Sequence, residues 1–260
     1  MIYVTGSPHP PGTVGLSCGE LARYVEFHAH FTRLQVPERC APEPPVYGIG
    51  YDTASNSNDI IRQMLPHHEW VWIMDDDHTF DSDILIRLLD RGVDCVVPLY
   101  MQRKPPFWPV AYKERLATGA CAHVTFDDIA GKTGLLPIVS AGKAGVLIRR
   151  PVIVKLAGGD CLCAAPAVGE PRRHDPACAW ATAAWFEHKG QVGEDHVFFD
   201  KVLQAGFPLF CDLDTTMEHI TPFKVRPYRR PHDGAWCAEV HLYNEVNVKL
   251  WVSTPPASGG

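Results

Sequence analysis

EWVWIMDDDHTFDSDIL, residues 69 to 85, is the stretch whose reading decides the fold class. Trp70 to Met74 run apolar without alternation, the pattern of a strand buried on both faces, and they lead straight into Asp75, Asp76, Asp77 and His78. Ser82 then stands where it can cap a helix carrying Ile84, Leu85, Leu88 and Leu89, and Gly92 ends that helix. Three carboxylates where a buried strand emerges repel one another unless a cation or a pairing partner neutralises them. Mg2+ and Mn2+ take one or two carboxylates together with substrate phosphates, and alternate strand residues share a face. Asp75 and Asp77 are therefore expected to converge on one ion, with Asp76 pointing elsewhere. The competing reading is a solvated acidic turn that caps the next helix.

Outward from this stretch, strands alternate with helices. Ile2 to Val4 reads as a short strand ending in Thr5-Gly6-Ser7-Pro8, and Leu16, Leu21, Tyr24, Val25, Phe27 and Phe31 recur at broadly helical spacing. Pro45 to Tyr51 reads as a second strand ending at Asp52, Asp59 to Leu65 as a helix that Ser57 or Asn58 caps, and Val93 to Leu99 as a fourth strand. That alternation predicts an α/β domain with a mainly parallel central sheet, whose ligands sit beyond the C-terminal ends of its strands. Pro137 to Ile148 reads as a strand interrupted by Gly142 and Gly145, Glu194 to Leu203 as a helix ended by Gly206, and Phe207 to Cys211 as a late strand. Residues 1–222 are thus expected to form one catalytic domain with an inserted loop or lid at about 157–190. Residues 223–260 are expected to form a tail wrapping on that core, disordered from Ser253 to Gly260.

Composition sets further bounds. No run approaches the ~20 apolar residues of a membrane-spanning helix, and the opening MIYVTGSPHPPG breaks with Gly and Pro before a signal-peptide hydrophobic region forms. Nine cysteines, an odd number in a chain of 260 residues, suit a reducing compartment better than a disulfide framework, so a cytoplasmic protein is expected. A net charge of -6 gives no global attraction to nucleic acid, and the one basic stretch is Lys224, Arg226, Arg229 and Arg230.

Asp75, Asp77, Asp83 and Leu85 resemble the D-x-D motif and the helix start that follows it in family-2-type glycosyltransferases of the GT-A fold. A second block, GEDHVFFDKVLQAGFPLFCD followed by MEHI, resembles that family's E-D helix, G-F turn and late histidine, with Glu194, Asp195, Gly206, Phe207 and His219 in order. SAGKAGVLIRR, from Ser140 to Arg150, resembles its glycine-containing segment near the sugar and acceptor. The resemblance spans roughly residues 70 to 220 and implies a single GT-A, Rossmann-like nucleotide-diphospho-sugar transferase domain. It further implies Mn2+ or Mg2+ held by Asp75, Asp77 and His219, and a nucleotide-sugar donor, with UDP favoured over GDP. Asp195, beside Glu194, becomes the general base of an inverting transfer to a saccharide or other hydroxyl acceptor. Thr5, Gly6, Ser7, Pro8, Asp52, Asn58 and Asp76 fall where such enzymes hold the nucleotide, and Trp108, Gly142 and Lys143 near the sugar and acceptor.

Pro105, Pro106, Phe107, Trp108 and Tyr112 offer aromatic stacking that suits a sugar ring or a nucleobase equally, and the basic stretch keeps open a DNA acceptor of a phage-encoded enzyme. A nucleotidyltransferase and a non-catalytic sugar- or metal-binding module are the readings from other classes. Cys161, Cys163, His174 and Cys178 hold four soft donors that match structural Zn2+, or equally unpaired thiols in a lid.

Overall fold

The computed structural model describes residues 1–19, 24–41, 43–103, 106–118, 120–166, 172–220, 223–242 and 247–248. Along the chain come β1 (Ile2–Val4), β2 (Thr13–Cys18), α1 (Val25–Phe31), β3 (Gln35–Pro37), β4 (Val46–Ile49), α2 (Thr53–Arg62), β5 (Trp70–Asp75), β6 (His78–Phe80) and α3 (Ile84–Asp90). They are followed by β7 (Cys95–Leu99), β8 (Ala111–Arg115), β9 (Cys121–His123), α4 (Phe126–Ile129), β10 (Leu135–Ile138), β11 (Ser140–Ala141), β12 (Val146–Arg149) and α5 (Arg150–Ala157). The last elements are α6 (Ala179–Thr182), α7 (Glu194–Gln204), β13 (Leu209–His219), β14 (Phe223–Arg229), β15 (Trp236–Leu242) and β16 (Asn247–Val248).

β5 is the apolar strand that the sequence announces, and both its faces are covered. Val71 and Ile73 join a core with Ile60 and Ile61 of α2, Val152 and Ile153 of α5, and Phe198, Phe199 and Val202 of α7. Trp70, Trp72 and Met74 point the other way, onto Phe27 and Phe31 of α1 and Ile84, Leu85, Leu88 and Leu89 of α3. The alternation of side chains along a strand thus gives two cores, one on each side of the sheet.

The mainly parallel, Rossmann-like sheet expected for a GT-A domain is not what this chain forms. The large sheet is mixed, in the order β16-β15-β14-β13-β7-β12-β5-β2-β4, with β6 and β10 pairing onto β13. β4, β2 and β5 run parallel to one another, as do β7 and β13. β12 lies between β5 and β7 antiparallel to both, and β6, β10 and β14 are antiparallel to β13. Parallel neighbours need a crossover of about a dozen residues or more, whereas an antiparallel entry can follow a tight turn. Pro137 to Ile148 is not one interrupted strand. It is β10, β11 and β12, with the chain turned at Lys143 to Val146, where the Val146 N–H donates to the Lys143 carbonyl and Gly145 takes φ +72.

Three further strands differ from their sequence reading. β2, TVGLSC, is buried throughout and pairs with both β4 and β5, although Leu16 and the residues after it mimic helical spacing. β1, expected as the first strand of the central sheet, pairs only with β3 in a separate two-stranded sheet. β13 runs to His219, well past Cys211, because a bulge between Asp212 and Thr216 lets its second half pair with β6 and β14.

The segment after residue 222 continues the sheet as the β14–β15 hairpin. Ser253 to Gly260 lie outside the described residues. The inserted segment at about 157–190 carries α6 and buries Trp180, Trp185 and Phe186 in the core beside α2 and α5.

One glycine sets how closely α2 lies on the sheet. A Cβ on Gly48 of β4 would stand 2.1 Å from the Asn56 backbone oxygen. Gly48→Ala is expected to lower stability by about 1–3 kcal/mol, the range for overpacking. Gly159→Ala, whose Cβ would meet only the Ala179 side chain at 3.9 Å, is expected to stay within about 0.5 kcal/mol. Urea midpoints of the two variants check this.

Candidate active site

The C-terminal ends of β2, β5, β7 and β13 share one edge of the sheet, and the turn entering β12 lies there too. Lys143, in that turn, is 4% exposed. Its Nζ donates to Asp75 Oδ1 at 2.5 Å and to Ser17 Oγ at 3.3 Å, joining the ends of β5 and β2. Burial by itself would raise the Asp75 carboxyl, but the Lys143 ammonium, with His78 and the Ser17 hydroxyl, holds it below the ordinary carboxylate value. The preceding Gly142 must be a glycine, because a Cβ there would fall 2.1 Å from the Tyr100 hydroxyl.

Asp75 and Asp77 do not share a strand face. β5 ends at Asp75, and Asp76-Asp77 turn the chain into β6, whose His78 lies opposite His219 of β13. The turn aims Asp77 at the two histidines. Its Oδ1 lies 2.7 Å from His78 Nδ1 and its Oδ2 3.6 Å from His219 Nε2, while the imidazoles stack with centroids 4.3 Å apart. Asp77, His78 and His219 therefore form a group able to hold a metal ion, and Asp75, expected as a ligand, is engaged instead by Lys143.

The donor chemistry of this group fits a divalent cation. His78 Nε2 is buried without a hydrogen-bond partner among the described residues, while His78 Nδ1 and Asp77 Oδ1 face each other at 2.7 Å. His219 Nδ1 lies 3.0 Å from the Met101 carbonyl, to which it donates, so Nε2 is left to accept. The Arg103 guanidinium, a cation itself, sits against Asp77 and donates from Nε to His219 Nε2 at 2.6 Å. Burial, with Lys143 nearby, pushes His78 down to about 4. Burial, together with His78 and Arg103, pushes His219 down to about 2. Both rings are neutral at physiological pH, which is the form that ligates metals.

Glu194 and Asp195 open α7. Asp195 Oδ1 accepts the His196 N–H at 2.8 Å. Burial raises its carboxyl above the ordinary value and the neighbouring Glu194 adds to this, against the pull of His196 and Lys143. Glu194 accepts from Thr53 Oγ1 at 2.5 Å, tying α7 to the first residue of α2. The buried Tyr100 connects the two halves of the site. Its phenol is pushed well above its usual range, first by burial and then by Asp75 and Asp195 together, so both carboxylates lie within electrostatic reach of it. Lys143 likewise acts on both.

Of the other expected residues, Thr5 to Pro8 lie away from this edge, whereas Asp76 is in the β5–β6 turn and Asp52 is bridged to Glu194 by His188. Thr5 to Pro8 follow β1. Gly6 N–H donates to Glu38 Oε2, and the carbonyls of Pro10 and Pro11 accept from the Trp70 indole and the Glu69 N–H, at the opposite end of β5 from Asp75. Asp52 caps α2, accepting from the Ala54 N–H and the Ser55 hydroxyl, which holds its carboxyl below the ordinary value. Asn58 spends its amide on both backbone groups of Phe186. Asp76 is half-buried in the β5–β6 turn, and Trp108 is half-buried beside His123. The Trp108 turn nevertheless borders the site, because Met101, bridged to Pro109, supplies the carbonyl that orients His219. His78, Tyr100, Arg103 and His196 belong to the site and were not expected from the sequence; His196 Nδ1 lies 2.6 Å from Ser140 Oγ. His78 was legible only as the residue closing the acidic run.

The basic stretch is internally paired. Lys224 lies 3.2 Å from Glu26, Arg226 contacts Glu218 and Glu239, Arg229 donates to the Gly234 carbonyl, and Arg230 pairs with Asp233. Away from this edge, Cys161, Cys163, His174 and Cys178 form a second group able to hold a metal, and Glu43, His67 and His68 a third. Among the described residues no helix is long and apolar enough to cross a membrane.

No protein-family profile matches the chain, and no curated protein does. Among solved structures it is similar to A197 from STIV, at 12% sequence identity and a TM-score of 0.48, over 92% of this chain and 97% of that one.

The Lys143–Asp75 pair generates a test. Lys143→Met leaves a carboxylate without its cation and is expected to cost about 3–5 kcal/mol at neutral pH, the range for breaking a buried pair. A carboxyl held low in the folded state stabilises above its unfolded pKa, and that contribution is lost as pH falls through the folded one. Without Lys143, burial raises the Asp75 carboxyl, so the folded variant takes up a proton that the unaltered protein refuses, and its deficit is expected to shrink on acidification beginning above the ordinary carboxylate value. Denaturant titrations at several pH values check the sign.

Proposed function

We propose that this protein is a metal-dependent glycosyltransferase that moves a sugar from a nucleotide-sugar, a UDP-sugar first among them, to a hydroxyl acceptor with inversion. One observation carries the reading. Sequence blocks far apart in the chain meet at one edge of the sheet: Asp75 to Asp77, Gly142-Lys143 and His219, with Glu194-Asp195 opening the helix whose His196 bonds Ser140, two residues before Gly142. These are the blocks by which the sequence resembles family-2-type glycosyltransferases.

Asp77, His78 and His219 would hold the divalent cation once Arg103, which pairs with Asp77 and donates to His219 Nε2, swings aside. Imidazole donors favour Mn2+ over Mg2+, which prefers oxygen. When bound, the cation supplies charge neutralisation for a departing nucleoside diphosphate. Buried Lys143 neutralises Asp75 within the fold, whereas Asp77 is paired with the more exposed Arg103, the partner that an ion would replace. Asp195 accepts the proton of the acceptor hydroxyl as that oxygen bonds to the anomeric carbon and the bond from carbon to the diphosphate oxygen breaks. Burial makes Asp195 a stronger base than an exposed aspartate, which suits the task.

The acceptor is read as a saccharide or another small hydroxyl compound. A DNA acceptor would need phosphate-binding cations, and those of the basic stretch already serve Glu26, Glu218, Glu239 and Asp233. A nucleotidyltransferase would leave Glu194 and Asp195 without a task. A reducing, cytoplasmic setting suits nine cysteines of which none is in a disulfide. The thiol-rich metal group is assigned Zn2+, on grounds independent of sugar transfer.

The decisive experiment is a screen of nucleotide-sugars for Mn2+-dependent hydrolysis and transfer. Turnover of at least one donor that chelation abolishes is expected, and no turnover or binding of any nucleoside diphosphate would sink the reading. Asp77→Ala is expected to lose Mn2+-dependent UDP binding in calorimetry while keeping its fold. Asp195→Asn is expected to keep that binding and to lose about 10²- to 10⁴-fold in transfer rate. Because the Asp195 pKa is raised, the rate of the unaltered protein is expected to fall on acidification at a pH above that of an ordinary aspartate. A fall of less than tenfold in Asp195→Asn would show that the base lies elsewhere.

A further inference from the structure

The geometry points to Cys161, Cys163, His174 and Cys178 as a closed, structural Zn2+ site that pins the segment from Gly158 to Phe186 against α2. This inference stands apart from the transferase reading, since none of its residues borders the Asp77 site.

The four candidate ligand atoms lie within 4.8 Å of one another. Cys161 Sγ is 3.2 Å from His174 Nδ1 and 3.5 Å from Cys178 Sγ, and Cys178 Sγ is 3.9 Å from His174 Nδ1. A zinc ion bonded to sulfur at ~2.3 Å and nitrogen at ~2.0 Å in a tetrahedron needs ligand separations of roughly 3.5–3.8 Å. The observed separations bracket that range and far exceed the ~2.05 Å of a disulfide.

The surroundings orient each ligand. His174 Nε2 lies 2.7 Å from the Arg62 carbonyl, the partner that takes its proton, so the Nδ1 lone pair faces the thiols. Burial lowers the His174 pKa, keeping the ring neutral. An N–H group approaches one sulfur from the protein side, Asp175 N–H donating to Cys163 Sγ at 3.4 Å, while the Ala181 N–H donates to the Cys178 carbonyl and fixes the start of α6. Arg172 donates to Cys161 Sγ at 3.1 Å. Three thiolates and one Zn2+ carry a net charge of -1, which this guanidinium offsets. Without an ion, burial pushes Cys161 up to about 11, so uptake of the metal must displace thiol protons. Three sulfurs and an imidazole fill all four tetrahedral positions, which assigns a structural rather than a catalytic ion.

The ion has a mechanical task to perform. Among its described residues this segment has little regular structure apart from the short α6, yet it buries Trp180, Trp185 and Phe186. It meets α2 through Arg62, which donates to the Trp180 and Ala183 carbonyls, and through Asn58 on Phe186. Joining Cys161 to Cys178 through one ion closes a loop in the unfolded chain and fixes those aromatic residues at their sites.

The test uses the full chain purified without added metal or chelator. One zinc per chain by elemental analysis is expected, with a melting temperature that falls when a zinc chelator is added and returns with Zn2+ but not with Mg2+. Replacement by Co2+ is expected to give the intense visible absorption of tetrahedral thiolate coordination. Cys163→Ser and Cys178→Ser are expected to lose the zinc, and where such a variant fails to fold, the Co2+ spectrum of the unaltered protein decides. Zinc well below one per chain together with a weak, octahedral Co2+ spectrum would overturn the proposal, as would a Cys161–Cys178 disulfide in the protein purified under reducing conditions. None of these readouts depends on sugar transfer, so each proposal can fail without the other.

Discussion

A carboxylate at the end of a strand buried on both faces has to be neutralised, and in this chain Lys143 neutralises Asp75 from inside the fold. The pair does more than satisfy a charge. It fixes the turn from Lys143 to Val146 against the end of β5, and that turn sends β12 back between β5 and β7. Gly142 lets the same turn approach Tyr100, and Tyr100 stands against His78 with ring centroids 5.1 Å apart. One ion pair thus ties the turn into β12, the approach to Tyr100 and the end of β5 to a single point.

The central strand, its acidic end and α7 were legible because each has a local signal: an unbroken apolar run, a run of carboxylates, a pair of acids opening a helix. The direction of β12 was not. Leu147 and Ile148 read as a buried strand in either sense, and only the turn at Gly145 marks the reversal. β2 was hidden for a related reason, since a strand buried on both faces lacks alternation, and Leu16 continues into residues spaced like a helix. Misplacing the first strand carried Thr5 to Pro8 to the expected ligand edge, whereas Ser17 of β2 is the residue that stands beside Asp75.

In the site itself, residue types were legible and partners were not. Asp77 and His219 meet as expected from sequence, but alternation within one strand could not foresee that β5 would stop at Asp75 and that His78 would enter in its place. Asp52 and Asn58 show the converse. Both are polar residues at a helix start, and the structure uses them for a cap and for a tether to Phe186. Nothing in their sequence neighbourhood separates those roles from ligand binding.

One physical cause gives the site its balance. Desolvation disfavours whichever form of a group is charged, so it lowers His78 and His219 and raises Asp195. The same burial that makes two imidazoles neutral donors therefore makes a nearby carboxylate a stronger base. Asp75 escapes this rule only because a buried ammonium opposes it. Neutral imidazoles and a raised carboxyl thus arise together from one water-poor edge of the sheet, and a change that admitted water there would move the imidazoles up and Asp195 down toward their ordinary values.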